Sequence, residues 1–278
     1  EKNTKGTVEV QLFPNRQLGD ERQMLEGMRF GTVDAGVITN AVIGQIEPSF
    51  SINDLPFLFA NEEQAHKALD GALGAELSKR IEGKGIVALG YMEGGFRNMI
   101  NNKRPVSTPA DVQGVKYRVM QNPIYIDMFN SLGGSAVPMA WGETFTAVQQ
   151  GTIDGQENPF TVIQANKFQE VQKHLAVTRH MYNPQSMLMS KKKWDALNKE
   201  EQEIITAAAV EAATYQRALS RGAQEVALNE LKTKMEVSEL PPAELAKVRA
   251  KLKPVIDKYS ANVGAEFANS VFAELEKR

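Results

Sequence analysis

Residues 199–235 are helix formers almost throughout, with one glycine at position 222. As a single helix this run spans about 55 Å, roughly twice the width of a small domain. A helix of that length can lie across two units rather than inside one. The chain has 278 residues, and at roughly 150 residues per domain it holds about two domains. A chain of this size also buries a large core without disulfide or metal staples. Pro241-Pro242 ends the run, because proline cannot continue a helical ladder, and two further helices close the chain.

Upstream, strand and helix patterns alternate. Residues 8–13 alternate apolar and polar before Pro14, the pattern of a strand. Asp20 caps a helix that carries Met24, Leu25 and Met28 on one face and ends at Gly31. Residues 33–39 form a second strand candidate, a helix opens at Asn61 and runs to about Gly83, and 85–92 is a compact apolar strand. This alternation argues for an α/β layered fold with a largely parallel sheet. Residues 94–105 change character and read as a crossing segment. Beyond it a second α/β unit begins: a helix start at Thr108-Pro109, a strand over 115–120, a helix over 123–132, a short strand over 136–139, a helix over 143–150 and a strand over 153–157. Residues 175–182 and 186–190, separated by Asn183-Pro184, read as strands that return the chain toward the first unit.

Composition removes several classes of function. A formal net charge of −2 with no basic stripe argues against nucleic-acid binding. With no cysteine there is no disulfide framework, thiolate metal site or cysteine nucleophile. His66, His174 and His180 are too scattered to suggest a metal cluster. No stretch of about 18 apolar residues offers a transmembrane helix. The polar N-terminus is not a signal peptide, but a mature exported chain has lost its own, so location stays open. No G-x-S-x-G, H-E-x-x-H or Walker A motif occurs, and Gly83-Lys84-Gly85 precedes a strand where a dinucleotide turn would follow one. No cofactor is therefore expected. Asp154 and Glu157 read as internal partners for an arginine rather than an acid–base pair. Lys191-Lys192-Lys193 reads as a solvated helix start.

Two arginines carry the functional signal. In the strand around Arg118, Val115, Tyr117 and Val119 share one face while Lys116 and Arg118 share the other. Both faces of an α/β sheet tend to be covered. A covered guanidinium keeps its proton and needs an anion, either an internal carboxylate or a ligand's. Arg97 sits in the crossing segment, where two-domain proteins commonly bind ligands, although a surface arginine is the ordinary reading. Asn158 reads as the cap of a helix whose first residue is Pro159. Trp141 reads as core by default or as the cover of a ligand's apolar side.

Taken together, several segments resemble the solute-binding subunit of TRAP transporters, the DctP family. They are Gly114-Val-Lys-Tyr-Arg118-Val, Pro123-Ile-Tyr, Leu132-Gly-Gly, Val137-Pro-Met-Ala-Trp141-Gly-Glu and Thr146-Ala-Val-Gln-Gln-Gly-Thr-Ile-Asp154-Gly-Gln-Glu-Asn158-Pro. Gln17-Leu-Gly-Asp20 and Asp54-Leu-Pro-Phe-Leu-Phe59 add to the match, which is colinear from about residue 6 to 260. The resemblance implies a two-lobed periplasmic-binding-protein fold with a hinge and a long helix spanning both lobes. It places 1–95 plus 184–223 in one lobe and 96–183 plus 224–278 in the other. It implies a bound organic acid whose carboxylate is gripped by Arg118, with Arg97 and Asn158 on the same lobe, Trp141 lining the pocket and Asn40 reaching from the first lobe.

The family usually begins with a strand and a helix ahead of the equivalent of residues 8–13, so the resemblance also implies an earlier strand that this sequence does not carry. The expected protein is a periplasmic binding protein rather than an enzyme, a monomer that delivers its ligand to TRAP membrane subunits. A ligand-sensing partner of a signalling receptor and a small-acid enzyme are the rival classes. Polar satisfaction favours a sugar acid, such as a hexuronate or aldonate, over a C4-dicarboxylate, keto or aromatic acid: the amides of Asn40 and Asn158 need partners, and the first lobe shows no second cation.

Overall fold

The computed structural model describes residues 1–276. Helix α1 (Glu21–Phe30) starts at the expected cap: Asp20 accepts from Gln23 N at 2.9 Å, and the Gln23 side chain returns a bond to the Asp20 N–H. Gly31 ends it at φ 83°, a left-handed conformation that costs glycine nothing. Strand β1 (Ala35–Thr39), short helix α2 (Asn40–Ile43) and a 3-10 segment (Pro48–Asp54) follow. The expected helix from Asn61 is two helices, α3 (Glu62–Asp70) and α4 (Ala72–Glu82), because the chain leaves helical geometry at Gly71. At Gly74 the chain comes so close to the Leu69 carbonyl that a Cβ would overlap it.

The crossing segment is a strand. β2 (Ile86–Asn101) runs unbroken through Gly94-Gly95, and β6 (His174–Ser190) runs unbroken through Asn183-Pro184. Each sequence break is absorbed by the partner strand: β2 and β6 pair antiparallel along their length, with register shifts near Glu93/Gly95 and Arg97/Met99. Between them lie β3 (Lys116–Val119), α5 (Pro123–Ser131), β4 (Ser135–Pro138), α6 (Trp141–Gln149), β5 (Gly155–Asn158) and α7 (Phe160–Ala165). The order β1-β6-β2-β5-β3-β4, with β7 (Glu236–Glu239) also on β6, makes one seven-stranded sheet. The sheet is mixed rather than largely parallel. β1, β2 and β5 join antiparallel neighbours, and the β3/β4, β3/β5 and β6/β7 pairs are parallel.

The sheet has two ends. At one, β1 covers residues 185–189 of β6; at the other, β7 covers 174–177 of β6 and β5 covers 98–101 of β2. Between these ends only β2 and β6 continue, as a two-stranded ribbon. Helix α8 (Lys191–Ala196) leads into α9 (Lys199–Lys232), which is one helix and crosses this ribbon. Its start carries a second capping box, Asn198 with Glu201. Small residues let it come close: Gly90 of β2 faces Ala209 and Ala213. Helices α10 (Pro242–Asn262) and α11 (Ala265–Glu276) close the chain, and Gln64 of α3 donates to the Leu275 carbonyl at 3.0 Å.

Residues 8–13 are not a strand. Val10 and Leu12 are 61% and 81% exposed, and no neighbouring strand among the described residues pairs with them. Alternation prepares a segment for a sheet, but only a partner edge makes it one. Asn158 is the last residue of β5 rather than a helix cap; Pro159, extended at ψ 153°, stands in the cap position ahead of Phe160.

Candidate functional site

The register of β3 on β5 sorts the site residues by face. Tyr117 lies opposite Gly155, so Arg118 shares a face with Gln156 and Asn158, while Tyr117 and Glu157 point to the other. That first face is covered by the cluster containing Trp141, Phe160, Ile163 and Phe168; the second is covered by α5, through Tyr125 and Phe129.

Arg118 is 3% exposed. Its Nε and Nη2 both donate to the Met139 carbonyl, at 3.0 and 2.7 Å. The Trp141 ring lies 5.6 Å from its guanidinium carbon. Among the described residues no carboxylate lies within ion-pair distance of it, and its polar partner is that one neutral carbonyl. Burial, followed by the charge of Arg97, pushes its pKa down to about 10. The group stays charged at neutral pH, so a buried cation stands here with no carboxylate in contact among the described residues. Such an arrangement is costly unless an anion joins it.

Arg97, 2% exposed, is arranged differently. Its Nε pairs with Glu157 Oε2, and its Nη2 donates to Glu157 Oε1 at 2.7 Å and to the Glu157 carbonyl at 2.6 Å. His180 Nε2 lies 3.1 Å from the same carboxylate, and Thr178 Oγ1 lies 2.7 Å from His180 Nδ1. Burial works against the charge of Glu157, but Arg97 and His180 together outweigh it and hold the carboxyl below its ordinary range. The reading of Glu157 as an arginine's partner therefore holds. Asp154, its companion in that reading, accepts from Lys116 N at 2.9 Å and lies 3.2 Å from Lys103 Nζ.

The other residues singled out in the sequence fall around these two. Asn158 is buried, pairs across to Asn98 beside Arg97, and gives its Nδ2 to Gln156. Trp141 opens α6 and stacks on Phe168 at 5.5 Å. Asn40 opens α2, fully buried; its Oδ1 accepts from Ser186 Oγ at 2.6 Å, and its Nδ2 has no hydrogen-bond partner. Two contacts bring its neighbourhood to the arginines. Thr39 N donates to Glu21 Oε1 at 2.7 Å, and Glu21 is close enough to Arg118 to favour its charged form. Asn122 Nδ2 donates to the Ala41 carbonyl at 2.8 Å.

Sequence reasoning missed Glu21, Asp54, Asn122, Tyr125 and His180. Asn122 caps α5 with its Oδ1 and spends its Nδ2 on Ala41 and, at 3.2 Å, on Asp54. Tyr125 donates to Asp54 at 3.4 Å. Burial pushes the Asp54 carboxyl up to about 8, against the pull of Arg97. Locally Glu21 looks like any first-turn acid and Asn122 like any cap; only the Pro after Asn122 was a usable signal, and it marked a helix, not a site. Among the described residues no group of His, Cys, Asp or Glu is placed to hold a metal ion. The arrangement can do one thing well: it can bind an anion at Arg118 and satisfy polar groups beside it.

The model of the DctP family, bacterial extracellular solute-binding protein family 7, matches residues 1–262. The chain belongs to this family. A solute-binding protein of Verminephrobacter eiseniae is 44% identical to this family 7 chain over 218 residues, 78% of the chain and 65% of the relative. The 2,3-diketo-L-gulonate-binding periplasmic protein YiaO of Escherichia coli is 39% identical over 219 residues, 79% of the chain and 67% of the relative. The chain thus spans about two thirds of the length of these relatives. The crystal structure of the sugar acid binding protein DctPAm of Advenella mimigardefordensis, in complex with galactonate, matches with a TM-score of 0.96 at 38% identity, over 99% of this chain and 89% of that one. The fold is accordingly the two-lobed α/β fold of the family 7 proteins. No helix among the described residues is long and apolar enough to cross a membrane.

Proposed function

We propose that this family 7 chain is a periplasmic solute-binding protein of a TRAP transporter whose ligand is a sugar acid. The observation that carries the reading is Arg118, a buried guanidinium with no carboxylate partner among the described residues. The ligand's carboxylate supplies that partner through a directional, charge-assisted contact. Arg97, held in place by Glu157, adds a second positive charge, and Asn158 stands on the face of Arg118. Trp141 covers the less polar side of the ligand.

Hydroxyls fit the rest of the site better than carbon does. Asn40 Nδ2 and Gln156 Nε2 are buried and unpartnered, and each such atom costs about 1–3 kcal/mol if left so. Glu21 adds negative charge near Arg118 and disfavours a second carboxylate. Similarity points the same way: the relatives above bind a diketogulonate and galactonate. The work of such a protein is capture and closure, with the ligand touching both lobes and so favouring the closed state. It then hands the ligand to the membrane subunits of the transporter, acting as a monomer without a cofactor.

Mass spectrometry of the small molecule released on denaturation is the direct test, joined by a thermal-shift panel in which a tight ligand raises the melting temperature by mass action. Hexuronates and aldonates are expected to stabilise the protein. Stabilisation by succinate, malate and fumarate alone would replace the sugar acid with a C4-dicarboxylate and leave the role of Arg118 standing.

A further inference from the structure

We propose that two glutamines of α9, Gln216 and Gln224, clamp the ribbon between the lobes and hold it in the closed arrangement, so that they set ligand affinity without touching ligand. The proposal rests on the solute-binding reading above and adds to it which residues control closure.

The ribbon is where the backbone most needs help. Glu93 of β2 lies opposite Pro184 of β6, which has no N–H to give. Gln216 supplies what the sheet lacks there: its Nε2 donates to the Glu93 carbonyl at 2.8 Å, and its Oε1 accepts from the Glu93 N–H at 2.9 Å. One side-chain amide thus stands in for a strand neighbour at the register shift between Glu93 and Gly95. Gln224 lies eight positions on, about 12 Å along the helix. Its Nε2 donates to the Gly94 carbonyl and to Thr161 Oγ1, each at 3.0 Å. Gly95 has φ 102°, and a Cβ there would stand 2.4 Å from that same Nε2, so the amide lies against bare backbone.

The two amides differ in what they join. Gln216 binds Glu93, the first residue of β2 in the ribbon, and next to it Arg217 holds Asp70 of α3 at 2.7 and 2.9 Å, so this part of α9 belongs with the β1 end. Gln224 joins the ribbon to Thr161 of α7, and Gln164 of α7 donates to Glu230 of α9 at 2.6 Å, so this part belongs with the β5 end. Gln224 is therefore the bond between the ribbon and the β5 end. Its geometry here is that of an arrangement matching a galactonate-bound relative with a TM-score of 0.96. A contact made in the closed state and weakened in the open one shifts the equilibrium toward closure, and the apparent affinity follows the closed fraction.

The test is Gln224→Met, which keeps length and volume and removes the amide. The chain has no cysteine, so K79C and Q150C label one site in each lobe for single-molecule energy transfer. The expected result is a smaller closed fraction both with and without ligand, and about tenfold weaker binding carried by faster dissociation, at an unchanged ligand-free melting temperature. A merely structural glutamine would lower the melting temperature and leave the closed fraction of folded molecules alone; that result overturns the proposal, as does wild-type closure and affinity. If Gln224→Met does not fold, Thr161→Val removes the Oγ1 contact from the other side, leaves the bond to the Gly94 carbonyl and the 3.4 Å bond from the Thr161 N–H, and decides the matter by the same readouts with a smaller shift. If the wild-type protein binds no acid in the panel, the solute reading fails, and the closed fraction of ligand-free molecules still decides the clamp.

Discussion

Arg97 and Arg118 lie on strands of one sheet, both almost wholly buried, yet they stand on opposite faces of it and in opposite electrostatic conditions. Arg97 has a carboxylate from the neighbouring strand, and that carboxylate has a histidine behind it. Arg118 has one carbonyl and an indole. Burial penalises both cations, but only in Arg97 does a counter-charge reverse the shift, raising its pKa while that of Arg118 falls. A buried charge that the fold has already paired is held in place by it; one left without a carboxylate is free to take a ligand's.

The sharpest way to break this contrast is to remove Arg118. Truncating one partner of a buried pair costs about 3–5 kcal/mol, roughly 10²–10⁴ in affinity. Calorimetry on Arg118→Ala is expected to show acid binding nearly abolished, while the ligand-free melting temperature holds or rises, since an unpaired buried charge has gone. Arg118→Lys is expected to bind weakly too, because an ammonium cannot reproduce the fork. Near-wild-type affinity in Arg118→Ala would end the assignment.

Arg97 should give the reverse pattern. Glu157→Gln strands the Arg97 charge, a loss of about 3–5 kcal/mol of stability, and the melting temperature is expected to fall by on the order of 10 °C. Replacing both members of the pair with methionine should recover much of that loss, whereas a double variant no more stable than Glu157→Gln would show that the ion pair is not what matters.

A smaller effect is expected at Asn40. Its free Nδ2 offers one hydrogen bond to a ligand hydroxyl, so Asn40→Ala should weaken a sugar acid about tenfold. A short acid without hydroxyls should be indifferent to the change, and equal losses for both ligands would remove Asn40 from the site.

A pH-dependent effect separates Asp54 from both arginine settings. Its carboxyl titrates near 8 in the fold, against roughly 3.9 in an unfolded chain. Between those values the native state holds one proton more than the unfolded state, so stability falls as pH rises through that window. Asparagine resembles the protonated acid and does not titrate. Melting curves from pH 5 to 9 are therefore expected to decline less steeply in Asp54→Asn than in the wild type, and parallel curves would place the ionisation elsewhere.

Local chemistry made much of the fold legible. The Asp20 cap with Gln23, the Gly31 stop and the unbroken α9 all follow from interactions a few residues apart. Strand alternation put Arg118 on the face opposite Tyr117, where it is. What failed depended on distant partners. Residues 8–13 alternate like a strand but pair with no strand among the described residues, and the Asn183-Pro184 break vanished because β2 carries β6 across it. Glu21 and Asp54 belong to the site's surroundings only because helices far apart in sequence bring them there.

The sequence alone determined that helices and strands alternate, that one helix is long enough to cross two lobes, and that a charged arginine sits on a strand face that must be covered. These are short-range matters of period, capping and length. The tertiary structure alone decided which arginine received a carboxylate. Glu157 is 60 residues from Arg97 along the chain and 39 from Arg118, and the pairing of β5 with β2 turns it toward the first. Pairing energy depends on separation and burial in space, which spacing along the chain does not encode.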